Sequence, residues 1–276
     1  MSTIVLIEGE PKVGKTTLAL SFARCIPIAE DKTQQHYLSY FEMDVGGLGR
    51  ADVRFRDLIA ANAIRHKTYF LPQQGIREQI LGKSKMRPAE KLIGMYELWY
   101  SMLTDYIEAL EDPLCDAVVF DSWAQVWNLC TSGVLQEKQD WDVKQNKGSI
   151  REKLLQIEYG EPNGRMRAIL YGARELNKDL FLIVHLEAER RDMMVDGKWK
   201  EGVPTGNYLP AGWSHIDKEI NVAVRMRTDW VREGDEKKLR PFGKVRLCGD
   251  SLDAVGVELQ SPEWGMFRDY IALLRG

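Results

Sequence analysis

At 276 residues the chain has the length of one large domain or two small ones, and 44% hydrophobic with 29% charged residues and 10 prolines excludes a largely disordered or fibrous protein. The 38 basic and 41 acidic residues leave a net charge of −3, without the overall basic excess of a dedicated nucleic-acid binder, so any such binding rests on a local patch. No uncharged apolar run approaches the roughly 18 residues that span a bilayer, which excludes an integral helical membrane protein.

Residues 1–7 form a short apolar segment with no basic flank, and it meets Glu8 before an export-signal core is built. A cytoplasmic protein is expected. Cys25, Cys115, Cys130 and Cys248 lie far apart with no Cys-x-x-Cys pair, the usage of reduced core thiols. Without an internal repeat or a Pro/Ser-rich linker, the simplest organisation is a single domain over residues 1–276.

Short apolar runs alternate with amphipathic helical stretches, which predicts an α/β fold with a mainly parallel sheet and crossover helices. In chain order, strands are expected at 3–7, 37–41, 117–120, 180–184 and 220–224. Helices are expected at 15–25, 89–110, 123–135 and 163–176, the second opening after Pro88. Residues 136–149 are polar and read as a surface excursion, and 187–218 as a long loop rich in Gly, Pro and charge. A β-rich C-terminal extension follows over about 228–276, with short strands around Glu233-Gly234-Asp235 and at 244–247 and a closing helix at 267–274.

The first strand leads into Gly9-Glu10-Pro11-Lys12-Val13-Gly14-Lys15-Thr16, followed by Thr17, which matches G-x-x-x-x-G-K-[ST] between a strand and a helix. Such a loop cradles phosphate oxygens with backbone N–H groups. Lys15 then reaches the β- and γ-phosphates, and the Thr16 hydroxyl ligates Mg2+. A metal-bound phosphate site needs an acid at the end of a neighbouring strand, and Asp121, after the apolar run 117–120, supplies it. Hydrolysis also needs a group to orient the attacking water. Glu42 and Asp44 are the candidates, since strand alternation puts both on one face; Glu42 is preferred for its longer reach. His185 closes the strand 180–184 at the same edge, where a polar residue is placed to sense the γ-phosphate.

The order of these parts, over residues 1–227, resembles the RecA-like P-loop ATPases, in particular the small phage-encoded ones of the recombination and single-strand annealing type. The likeness is carried by the loop at 9–16, the acid at Glu42 or Asp44, Asp121-Ser122, and His185 before a long loop. It implies a RecA-like core that binds ATP and Mg2+, hydrolyses ATP, and acts on single-stranded DNA in recombination, annealing or repair in a bacterial or phage-infected cell. It also implies a homo-oligomer with nucleotide at subunit interfaces, to which Arg225 and Arg227 would contribute as arginine fingers, with Lys218 a third cation. The segment after His185 stands where the family contacts DNA. It holds Arg190, Arg191, Lys198, Trp199 and Lys200, with Tyr208 and Trp213, interleaved with Glu187, Glu189, Asp192, Asp196 and Glu201, which weaken its field. Lys83, Lys85 and Arg87 read as a solvated turn.

Two alternatives remain at this level. A nucleotide or small-molecule kinase shares the strand and loop, with Glu189-Arg190-Arg191 as a basic lid; a non-hydrolysing ATP-gated scaffold shares the binding site without turnover. A GTPase is disfavoured because Asn177-Lys178-Asp179-Leu180 displaces the Asp of the guanine signature.

Overall fold

Runs that are apolar at every position form strands buried on both faces, and they build the middle of the sheet. The structure, a computed structural model, describes residues 2–43, 47–70, 91–145, 150–195, 198–234 and 236–275. Its strands are β1 (Ile4–Gly9), β2 (Tyr37–Glu42), β3 (Ile64–Thr68), β4 (Cys115–Asp121), β5 (Asp179–Val195), β6 (Lys198–Pro210), β7 (Val222–Glu233), β8 (Glu236–Cys248) and β9 (Glu258–Gln260). The helices are α1 (Lys15–Leu20), α2 (Gly47–Ala60), α3 (Met95–Glu111), α4 (Trp123–Lys144), α5 (Gly160–Glu175) and α6 (Trp264–Arg275).

Among the described residues the strands join in the order β3-β2-β4-β5-β1-β7-β8-β9, with β6 paired only to β5. Pairing is parallel from β3 through to β7 and antiparallel at β7–β8, β8–β9 and β5–β6. Alternation divides the side chains between two cores. Ile4, Leu6, Val118, Phe120, Leu180 and Leu182 pack with α3, α4 and α5. Val5, Ile7, Ala117, Val119, Phe181 and Ile183 pack with α1, α2 and α6 on the other side. The result is a mixed α/β fold, a multi-stranded sheet flanked by helices on both faces. No helix among the described residues is long and apolar enough to cross a membrane.

Several expectations change. The helix expected over 15–25 is α1 followed by a 3-10 turn, Ser21–Cys25. The polar stretch at 136–149 is no excursion as far as Lys144, because α4 continues through it; 146–149 lie outside the described residues. The helix expected from 89 begins at Met95, and 89–90 lie outside the described residues. The long loop at 187–218 is mostly an antiparallel ribbon, since β5 runs on past the sheet to pair with β6. The short strands foreseen after Arg227 are the ends of the longer β7–β8 ribbon. Helix α2 and strand β3 were not foreseen. The four cysteines are free, and burial pushes the thiols of Cys115 and Cys130 up to about 11 and about 12, which makes them unreactive core side chains.

Candidate functional site

Strand β1 ends against β7 so closely that a Cβ on Gly9 would stand 2.5 Å from the Met226 carbonyl oxygen. Only glycine fits there. The loop then turns through Lys12 at φ 67° and Gly14 at φ 96°, and left-handed Gly14 caps α1, its carbonyl accepting from the Leu18 N–H at 3.0 Å. Lys15 is buried beneath this loop. Its ammonium donates to the carbonyls of Gly9 at 2.9 Å and Glu10 at 2.6 Å, and lies 3.2 Å from His185 Nδ1. The sheet order explains that contact: β5 sits between β1 and β4, and Gly9 is in register with His185.

The next residue of α1, Thr16, donates its hydroxyl to Asp121 Oδ2 at 2.6 Å. The same carboxylate oxygen accepts from the Tyr40 hydroxyl at 3.0 Å. Tyr40, Glu42, Asp121 and His185 continue the alternation that faces α1, so the sheet brings the polar ends of β2 and β4 and the middle of β5 to one side. Glu42 and Asp121 are direct cross-strand neighbours. The peptide joining Asp121 to Ser122 is cis.

Glu42 is buried, and its Oε2 lies 2.9 Å from His66 Nε2 on β3. His66 is also 2.9 Å from the Thr68 hydroxyl, and its ring stacks on Tyr40 with centroids 5.6 Å apart. The second candidate acid, Asp44, lies outside the described residues, as do Lys83, Lys85 and Arg87. Sequence reasoning missed Tyr40 and His66. Tyr40 was legible, two residues before Glu42 on the same strand face; His66 was not, because its strand went unread.

Arg225 and Arg227 stand on the opposite face of the sheet from Lys15 and Asp121, sharing the alternation of Ala223. Arg225 Nε donates to Glu8 Oε1 at 2.6 Å, and Arg246 Nε donates to the same oxygen at 2.8 Å. Glu8 is fully buried, whereas the Arg225 side chain is 40% exposed. Arg227 is held within the chain by Glu258 and Asp229 and packs over the Phe242 ring. Lys218 is exposed in a 3-10 turn.

On the β5–β6 ribbon, Trp199 is 64% exposed and pairs across with Met194, and exposed Lys200 pairs with Met193. Lys198 enters the ribbon opposite Val195. Arg190 donates to the Gly202 carbonyl at 3.2 Å. Arg191 is tied to Glu189 at 2.7 Å; hydrogen bonds from Thr205 and Asn207, with Arg191, lower that carboxyl to about 2. Tyr208 is exposed, but Trp213 is not a surface aromatic. It is buried against Trp123 and donates its indole N–H to Asn163, so it belongs to the core.

The cluster thus joins a glycine-bent loop, an ammonium, a hydroxyl and a carboxylate on one sheet edge. Among the described residues no group of three or more His, Cys, Asp or Glu side chains is arranged to hold a metal by itself. Thr16 and Asp121 offer hard oxygen donors, the kind that suits a partly hydrated Mg2+ ion. The chain matches no protein-family model and no curated protein sequence.

Proposed function

We propose that the chain is a Mg2+-dependent ATPase with a RecA-like core that acts, as a homo-oligomer, on single-stranded DNA in recombination, annealing or repair. The observation that carries the reading is the 2.6 Å hydrogen bond from Thr16 to Asp121, which joins the helix after the loop 9–16 to the acid of a strand two places away. These residues come from parts of the sequence 105 positions apart, each identified by its own pattern.

In this reading the backbone of residues 9–17 holds the phosphates and Lys15 neutralises the β- and γ-oxygens. Thr16 and Asp121 hold Mg2+, which offsets negative charge on the phosphates when bound. Glu42 accepts the proton of the attacking water, which takes the γ-phosphoryl group as ADP leaves. His185 touches Lys15 and registers the γ-phosphate, passing its state to β5 and the ribbon beyond. Trp199, Arg190, Arg191, Lys198 and Lys200 meet the DNA on that ribbon. Arg225 and Arg227 serve a neighbouring subunit's site, which their separation from the chain's own Lys15 favours.

The test is phosphate release from ATP and Mg2+ by the wild type and by Lys15→Ala. Turnover that survives the substitution rejects the site, and nucleotide binding without any turnover points to the gated scaffold.

A further inference from the structure

The outer part of the β7–β8 ribbon has two unlike faces. Cross-strand partners share a face, so Thr228 with Pro241, Trp230 with Leu239 and Arg232 with Lys237 lie on one side. Asp229 with Arg240, Val231 with Lys238 and Glu233 with Glu236 lie on the other. The carboxylates of these pairs all fall on the second face, where cations engage them. Glu233 accepts from Arg240 at 2.7 and 2.6 Å, Lys238 Nζ lies 3.1 Å from Glu236, and Asp229 accepts from Arg227 at 2.6 Å.

Among the described residues the first face carries two cations and no carboxylate, and its apolar side chains are exposed, Trp230 by 65% and Leu239 by 52%. It also has a direction. Val224 and Met226, on the same alternation, pack in the core beneath α1, and Pro241 Cβ lies 3.6 Å from where a Cβ on Gly14 would be. The face therefore starts at the phosphate loop and runs outward to Arg232 and Lys237.

We propose that this face of the β7–β8 ribbon binds single-stranded nucleic acid, Trp230 stacking on a base while Arg232 and Lys237 take flanking phosphates. An exposed aromatic beside cations, with the acids turned away, matches a strand that offers both π-faces and negative charge. Size argues against a second copy of the chain. The three cross-strand pairs of this face fall far short of the roughly 20–30 residues a side that a stable protein interface uses, whereas one aromatic suffices for one base. The inference rests on the nucleic-acid half of the function proposed above and adds to it a site beside the phosphate loop, separate from the β5–β6 ribbon.

The experiment is fluorescence anisotropy of a labelled oligothymidine with the full chain, across a salt series. Trp230→Ala weakens binding about tenfold, and Trp230→Phe restores most of it. The pair Arg232→Ala and Lys237→Ala flattens the slope of log affinity against log salt by about 1.4, roughly 0.7 for each cation lost. ATP turnover without DNA stays at the wild-type level in all three variants. Wild-type binding that survives every substitution within twofold overturns the proposal. So does a Trp230→Ala variant that raises KM for ATP, or dissociates an oligomer, with oligonucleotide affinity unchanged. A wild type that binds no oligonucleotide removes the nucleic-acid half of the functional reading and this site with it.

Discussion

The Thr16 hydroxyl donates to Asp121 Oδ2 at 2.6 Å, and the Tyr40 hydroxyl reaches the same oxygen at 3.0 Å. One carboxylate oxygen is thus shared by the helix after the loop 9–16 and by the strand that ends in Glu42. Thr16→Val, which keeps shape and removes the hydroxyl, and Asp121→Asn both raise the Mg2+ concentration needed for half-maximal turnover, by about tenfold or more. A Mg2+ titration of phosphate release checks this; a shift absent in both variants contradicts the assignment.

His66 holds Glu42 by a 2.9 Å contact while its ring stacks on Tyr40. If Glu42 is the proton acceptor, His66→Ala lowers kcat roughly ten- to hundredfold with little change in KM, because it releases a positioned carboxylate and leaves the loop 9–16 intact. Glu42→Gln lowers kcat further, and adding His66→Ala to it has no additional effect. Steady-state kinetics of the two single variants and the double variant decide it.

Glu8 is fully buried between two arginines, and among the described residues its Oε2 has no hydrogen-bond partner. Removing Arg225 alone leaves Arg246 in place and costs about 1 kcal/mol, whereas Arg225→Ala with Arg246→Ala strands a buried charge and costs roughly 3–5 kcal/mol. Denaturant unfolding separates the two. If Arg225 serves a neighbouring site, Arg225→Ala also lowers turnover far more than its small stability loss explains, and mixing it with Lys15→Ala restores activity. Full activity in Arg225→Ala refutes that role.

Gly9→Ala puts a methyl group 2.5 Å from a backbone oxygen and 3.0 Å from Val13 Cγ2, so β1 and β7 must part. The expected cost is about 1–3 kcal/mol, with weakened nucleotide binding, read from thermal unfolding with and without ATP.

The Glu189 carboxyl sits at about 2 in the folded ribbon against an ordinary 4.5. Its contribution to ribbon stability is complete above pH about 4.5 and is lost as pH falls toward 2. The indole NMR signal of Trp199 follows this loss, and Glu189→Gln removes its pH dependence.

The buried framework was legible because the runs 4–7, 117–120 and 180–184 inside β1, β4 and β5 are apolar at every position, and the loop 9–16 carries its own pattern. The rest was hidden for local reasons. Residues 136–144 look like a surface segment because the buried stripe of α4 there is polar: Gln136 accepts from the Met95 and Tyr96 N–H groups, Gln139 from Leu92, and Asp142 pairs with Arg151. The outer β5–β6 ribbon stands clear of the sheet, so no buried face imposes a two-residue apolar period on it. Strand β3 is the polar sequence Ile64–Thr68 at the sheet edge, and that concealed His66. Trp213 was misread for the opposite reason: it follows the charged stretch 187–201 in sequence but packs into an aromatic core with Trp123 in space.

The measurement closest to the central claim is phosphate release from ATP and Mg2+ by the wild type and by Lys15→Ala, each with and without single-stranded DNA. The expected result is turnover by the wild type, further raised by DNA in a salt-sensitive way, and a loss of at least about a hundredfold in Lys15→Ala. Equal phosphate release by the two proteins contradicts it.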